Sequence, residues 1–237
     1  VGKPHPKAIL FDVFGSVVDW RGSLIADLTA WGAERGVHAD WVGLADAWRG
    51  AYAPSMDRVR RGELPWTNLD ALQRQSLAGL GPAYGLPSDL PEADRIHILQ
   101  AWRRLKPWPD AVPGLTRLKT RHIIAPLSNG NVALLVNMAK FADLPWDAVF
   151  ATELFRHYKP DPETYLGAAA LLGLAPGDVM MAAAHNYDLH AARALGLQTA
   201  FFPRPTEYGP HQKQDFAAES DWDVVAEDIE ELARILA

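Results

Sequence analysis

Residues 7–16 read Lys7-Ala8-Ile9-Leu10-Phe11-Asp12-Val13-Phe14-Gly15-Ser16. A short, unbroken apolar run ends in one carboxylate, and a small loop follows. Such a run suits a strand buried on both faces, the usual state in a parallel sheet. In open parallel sheets ligand chemistry gathers beyond the carboxyl ends of the strands, and Asp12 stands at that end. An aspartate there is either a reactive carboxylate or a loop residue capping the next segment, and this stretch alone leaves both open.

The same pattern recurs further along. His122–Leu127 runs into Ser128-Asn129-Gly130, and Trp146–Ala151, Asp178–Ala184 and Thr199–Phe202 are further strand candidates. Helical patterns separate them at Val112–Arg121, Val132–Phe141, Pro162–Leu172, Asp188–Leu195 and Val224–Leu236. Strands alternating with helices predict a doubly wound parallel α/β sheet. The region before residue 105 differs. Leu24, Ile25, Leu28 and Trp31 share one helix face, and Gly36 is a stop. A second amphipathic helix is expected over Asp40–Arg61, a third at Leu69–Leu80 and a fourth about Ile96–Trp102. The expected division is an α/β core from 1–17 and 105–237 with an inserted all-helical cap at 18–104. Lys106-Pro107-Trp108-Pro109 is the rigid return linker.

Composition narrows the function. Of 237 residues 49% are hydrophobic, enough for a sizeable core, and the formal charge of −6 with no basic block argues against nucleic acid as a partner. No apolar stretch approaches the ~20 residues of a membrane span, and no signal-peptide pattern opens the sequence. Without cysteine there are neither disulfides nor thiolate metal sites. A soluble cytoplasmic protein is the expectation.

Chemistry concentrates where the strands end. Ser128 and Asn129 offer a hydroxyl and an amide beside a helix start, which makes an anion site or an ordinary helix cap. Lys159 precedes Pro160-Asp161-Pro162, where Asp161 reads as a helix cap and Pro162 as the first helical residue. Ala184-His185-Asn186-Tyr187-Asp188 follows another strand, and Asp188 also suits a helix first turn.

With these stretches in order, Asp12-Val13-Phe14-Gly15-Ser16 resembles the first motif of the haloacid dehalogenase superfamily, whose Asp is the nucleophile. Leu127-Ser128-Asn129-Gly130 resembles the second motif and Lys159-Pro160-Asp161-Pro162 the third. Superfamily phosphatases carry a second acid where this chain has Phe14, which resembles the L-2-haloacid dehalogenase (type II) branch instead. Magnesium-dependent members also place an acid four residues before Asp188, where Ala184 stands. Loss of both acids points to chemistry without a cofactor or metal.

The resemblance implies Asp12 as nucleophile, Ser16 as its hydroxyl support and Lys159 as the cation that keeps it ionised. It implies that Ser128, Asn129 and the backbone of Val13 and Phe14 hold a substrate carboxylate, with Tyr165 lining the pocket. Arg49, in a Trp-Arg pair of the cap, resembles the residue that grips the halide, and Arg21 is its rival. Asp188 would orient or deprotonate water. His185 and Asn186 depart from the best-known dehalogenase pattern. His185 is either a partner of the hydrolytic water or an anchor for Asp188, and Asn186 is a substrate-contact candidate. Trp20, Tyr52, Trp66 and Tyr187 are candidates for an apolar wall. The implied activity is hydrolysis of short L-2-haloalkanoic acids to D-2-hydroxy acids, by a chain expected to pair as a homodimer. A phosphomonoester phosphatase and a non-catalytic ligand-binding member are the alternatives.

Overall fold

A computed structural model describes residues 5–236, so positions 1–4 and 237 of the expected core lie outside the described residues. The chain opens with β1 (Ala8–Phe11), every residue of which is buried. The loop after Asp12 leads to β2 (Val18–Asp19) and then into the cap: α1 (Trp20–Arg35), α2 (Trp41–Gly50), α3 (Tyr52–Arg60), α4 (Leu69–Leu80) and α5 (Glu92–Leu99). It returns through β3 (Lys106–Pro107) to α6 (Ala111–Leu118), β4 (Ile123–Ser128), α7 (Val132–Phe141) and β5 (Phe150–Ala151). The core ends with α8 (Pro162–Leu171), β6 (Val179–Ala183), α9 (Asn186–Ala194), β7 (Gln198–Phe201), β8 (Val224–Val225) and α10 (Ile229–Ile235).

The main sheet has six parallel strands in the order β5-β4-β1-β6-β7-β8. Strand order reverses at β1: Phe11 pairs with Pro126 of β4 on one side and Ala182 of β6 on the other. Asp12 therefore emerges at the topological switch point, flanked by the loops after β4 and β6. Helices cover both faces, which is why β1 and β6 are apolar at every position.

The cap is helical as expected, but the single helix over Asp40–Arg61 is two. Pro54 has no N–H to donate backwards, so it can sit only in the first turn of a new helix, and α3 restarts at Tyr52. Val224–Val225 is a short strand beside β7, not helix; the terminal helix starts after Asp228, whose carboxylate caps Glu231 N. Of Trp146–Ala151 only the last two residues pair with β4, because Asp147 turns back to bond Ile124 N at 3.0 Å. Asp161 occupies the position before α8, yet its carboxylate makes no cap bond and pairs with Arg60 of the cap at 2.8 Å. The Lys106-Pro107 linker is also a strand, lying antiparallel to β2.

Several bonds close the cap on the core: Tyr158 donates to Thr67 O at 2.7 Å, and Asn131 Nδ2 donates to Asp70 at 3.1 Å. Within the core, Arg204 joins three segments. It donates twice to Asp110 at 2.8 Å and once to Ser16 O at 2.9 Å, and Asp110 also accepts from Ile229 N. No helix among the described residues is long and apolar enough to cross a membrane. Replacing Arg204 by Leu strands a buried carboxylate, so urea unfolding should register a loss of about 3 kcal/mol. The converse double change, Arg204→Leu with Asp110→Leu, should recover much of it.

Candidate active site

Asp12 leaves the tip of β1 and is only 6% exposed. Its Oδ2 accepts from Ser16 Oγ at 2.7 Å and faces His185 Nδ1 at 3.0 Å, while Oδ1 accepts from Lys159 Nζ at 2.9 Å. The loop holds this geometry because Gly15 turns at φ 89°, where a side chain would be strained. Ser16 Oγ also accepts from Ala184 N at 2.9 Å, tying the loop after β1 to the tip of β6.

Lys159 is set by the strand next door. Its backbone N–H donates to Asn129 Oδ1 at 2.8 Å, and its ammonium lies between Asp12 and Asp188. Asp188, in the first turn of α9, gives its other oxygen to the hydroxyl of Tyr165 on α8. Burial opposes charge on Asp12, but Lys159 and His185 overcome it and hold the carboxyl well below the usual range. Burial and the neighbouring Asp12 push Asp188 upward, against Lys159. Burial would lower Lys159, but the two carboxylates keep it firmly protonated.

His185 lies between two carboxylates. Nδ1 faces Asp12, and Nε2 faces Glu207 Oε2 at 2.8 Å. An ionised carboxylate only accepts, so two of them on one ring favour protons on both nitrogens. Burial opposes that charge, yet Glu207 and Asp12 raise the pKa well above the ordinary histidine value. Glu207 was not anticipated. It sits in a loop beyond the carboxyl end of β7, and that location was its only signal in the sequence.

The cap contributes Arg49 from α2. Its guanidinium lies 4.2 Å from the Tyr52 ring centroid and 5.4 Å from that of Trp20, with Nη2 4.0 Å from Glu207 Oε1. Its Nη1 is buried with no hydrogen-bond partner. Arg49, Tyr52, Trp20, Tyr187, Asn129 and Lys159 line a cavity of about 490 Å³ between cap and core.

Other candidates fall elsewhere. Arg21 is held by two bonds to Asp46, at 2.7 and 2.9 Å, and does not line the cavity. Tyr165 faces Asp188 and not the cavity. Asn186 spends its amide on Asp215 and Ala217 and its oxygen on Glu219 N and Trp222 Nε1, so it anchors the 215–222 segment and cannot also grip substrate. Asp188 is fully buried, lies outside the cavity lining, and accepts from Lys159 on one oxygen and Tyr165 on the other, which makes it the counter-ion of Lys159. Trp66 packs on Tyr158, away from the wall formed by Trp20, Tyr52 and Tyr187. Ser128 is fully buried; its Oγ accepts from Gly130 N at 3.2 Å and keeps a hydrogen to donate. Val13 and Phe14 lie in the buried loop beside Asp12, the Phe14 ring edge-on to Tyr52 and Trp102.

A carboxylate kept ionised by a buried ammonium, with that lysine and a guanidinium lacking a hydrogen-bond partner both lining one cavity, is an arrangement suited to a hydrolase. The family profile of haloacid dehalogenase-like hydrolases matches residues 6–196, and the chain belongs to that family. Its likeness is to the L-2-haloacid dehalogenase branch. A crystal structure of an L-2-haloacid dehalogenase is 55% identical with a TM-score of 0.94, covering 98% of each chain. That of a defluorinating L-2-haloacid dehalogenase is 47% identical with a TM-score of 0.94, covering 98% of this chain and 95% of its own. The (S)-2-haloacid dehalogenase 4A of Burkholderia cepacia is 28% identical over 244 residues, 96% of this chain and 98% of that protein.

The magnesium site of the superfamily's phosphatases does not fit these residues. Lys159 Nζ already bridges Asp12 and Asp188, so a magnesium ion between them would meet a buried ammonium. The ring of His185 faces Asp12 and Glu207 directly, with Lys159 and Arg49 as the opposing cations beyond them. A raised histidine pKa supports the fold fully below ~6.5 and loses that support as pH rises through the folded value. Nitrogen-15 NMR of the free protein should show a doubly protonated His185 ring at pH values above ~6.5. A neutral ring there would contradict the two-carboxylate geometry.

Proposed function

We propose that the protein removes halide from short L-2-haloalkanoic acids, giving D-2-hydroxy acids without a metal. The observation that carries this reading is Asp12 paired with Lys159, while Lys159 and Arg49, whose Nη1 has no partner, line one cavity. Asp12 attacks the α-carbon in line with the halogen. The C–halogen bond breaks with its electron pair going to halide, and an ester forms between Asp12 and the substrate. Covalent catalysis divides the reaction into two lower barriers.

Arg49 meets the charge that grows on the halide. Burial opposes its charge, but the guanidinium stays protonated, its pKa raised above the ordinary arginine value. An already oriented donor in a dry site costs no reorganisation as charge develops. Asn129 and Ser128, with the backbone of Val13 and Phe14, hold the substrate carboxylate. Trp20, Tyr52 and Tyr187 give the α-carbon an apolar setting and limit water during the first step. Inversion at carbon in that step, followed by attack at the Asp12 carbonyl carbon, turns an L substrate into a D product.

A phosphatase reading lacks its general acid, since Phe14 cannot protonate a leaving group. A non-catalytic member predicts binding with no turnover. Halide release from L-2-chloropropionate should be unchanged in EDTA and abolished by Asp12→Asn. Magnesium-dependent release of phosphate from a phosphomonoester would support the phosphatase instead. Arg49→Ala should lower kcat by about 10²-fold, the typical cost of losing a donor aimed at developing charge.

A further inference from the structure

The second half of the reaction needs a base for water, and Asp188 is fully buried outside the cavity lining with Lys159 and Tyr165 already on its two oxygens. His185 is the titratable group left beside Asp12, and its far nitrogen is fixed by a carboxylate that the motifs do not include. Glu207 is 1% exposed and His185 2% exposed. Glu207 Oε2 faces His185 Nε2 at 2.8 Å, and Oε1 accepts from Trp20 Nε1 at 3.0 Å. The seat is shaped for this side chain: a Cβ on Gly15 would lie 2.1 Å from Glu207 Oε1. Glycine at that position thus makes room for the carboxylate as well as for the turn.

Granting the dehalogenase reading above, we propose that Glu207 and His185 form a relay that alkylation of Asp12 switches on, with His185 as base and Glu207 as the positioning residue. In the resting protein the ring is held charged between two anions and cannot act as a base. Ester formation neutralises Asp12 and removes one of them. The Nδ1 proton then passes to solvent, and Glu207 keeps the remaining proton on Nε2, so the Nδ1 lone pair faces the ester. Water adds to the Asp12 carbonyl carbon and gives one proton to Nδ1. The bond from that carbon to the alkyl oxygen breaks, and the departing alkoxide takes the proton from Nδ1. The acid left on Asp12 passes its proton back to Nδ1, restoring the resting imidazolium. One haloacid and one water give one hydroxy acid, one halide and one proton.

The test is rapid mixing with L-2-chloropropionate, following halide release and the mass of the acid-quenched protein. In Glu207→Gln, which keeps shape but removes charge, a burst of one halide per site should stay within about threefold of the parent rate, while steady turnover falls about 10²-fold or more. The mass of the ester should accumulate on the peptide containing Asp12. His185→Ala should show the same split, and added imidazole should restore part of its turnover. If Glu207→Gln fails to fold, the His185→Ala burst and its rescue decide the matter. Burst and turnover falling together, turnover left unchanged, or no ester accumulating would each overturn the relay. A parent protein that releases no halide overturns the dehalogenase reading itself, whatever the variants do.

Discussion

One ammonium holds this site together. Two carboxylates, Asp12 and Asp188, are buried at the tips of β1 and α9, and neither would stay ionised there without a cation. Lys159 lies between them, and its own charge is stable only because both are present. Its loop is fixed through its backbone by Asn129 at the end of β4, and Asp188 is fixed by Tyr165 of α8. Four elements far apart in sequence therefore converge on one nitrogen, and the order of the sheet brings them there.

Around that nitrogen the charges alternate. Asp12 faces Lys159 on one oxygen and His185 on the other; His185 faces Glu207, and Glu207 approaches Arg49. Three acids and three cations form a chain running from the sheet into the cap. The cap is thus electrostatically continuous with the core, and the cavity is the break in the chain. Arg49, whose Nη1 has no hydrogen-bond partner, and Asn129 both line it.

Much of this was legible in the sequence because it was local. Apolar runs ending in Asp12, in Ser128-Asn129 and in His185 read directly as buried strands with polar tips, and alternation with helices gave the parallel sheet. Lys159 and Asp188 were legible because motif order implied a shared centre. What escaped depended on partners distant along the chain. Nothing near Glu207 marks it out; it matters because β7 lies beside β6. Asn186 looked available because its four bonds go to residues 215–222, which no local pattern links to it. Arg21 and Arg49 could not be separated until Asp46 was seen to occupy the first. The break at Ala51 could have been read from Pro54, whose missing N–H forbids a continuous helix.

The two-residue ribbon of Val18–Asp19 against Lys106–Pro107 brings the outgoing and returning strands of the insertion side by side. Seen from the sheet, everything between them is one long loop whose ends are already pinned. Its length and internal shape can therefore change without moving either end of the junction. A lineage could trade one lid for another at this junction and keep the tip of β1 intact, changing only what Asp12 is allowed to meet.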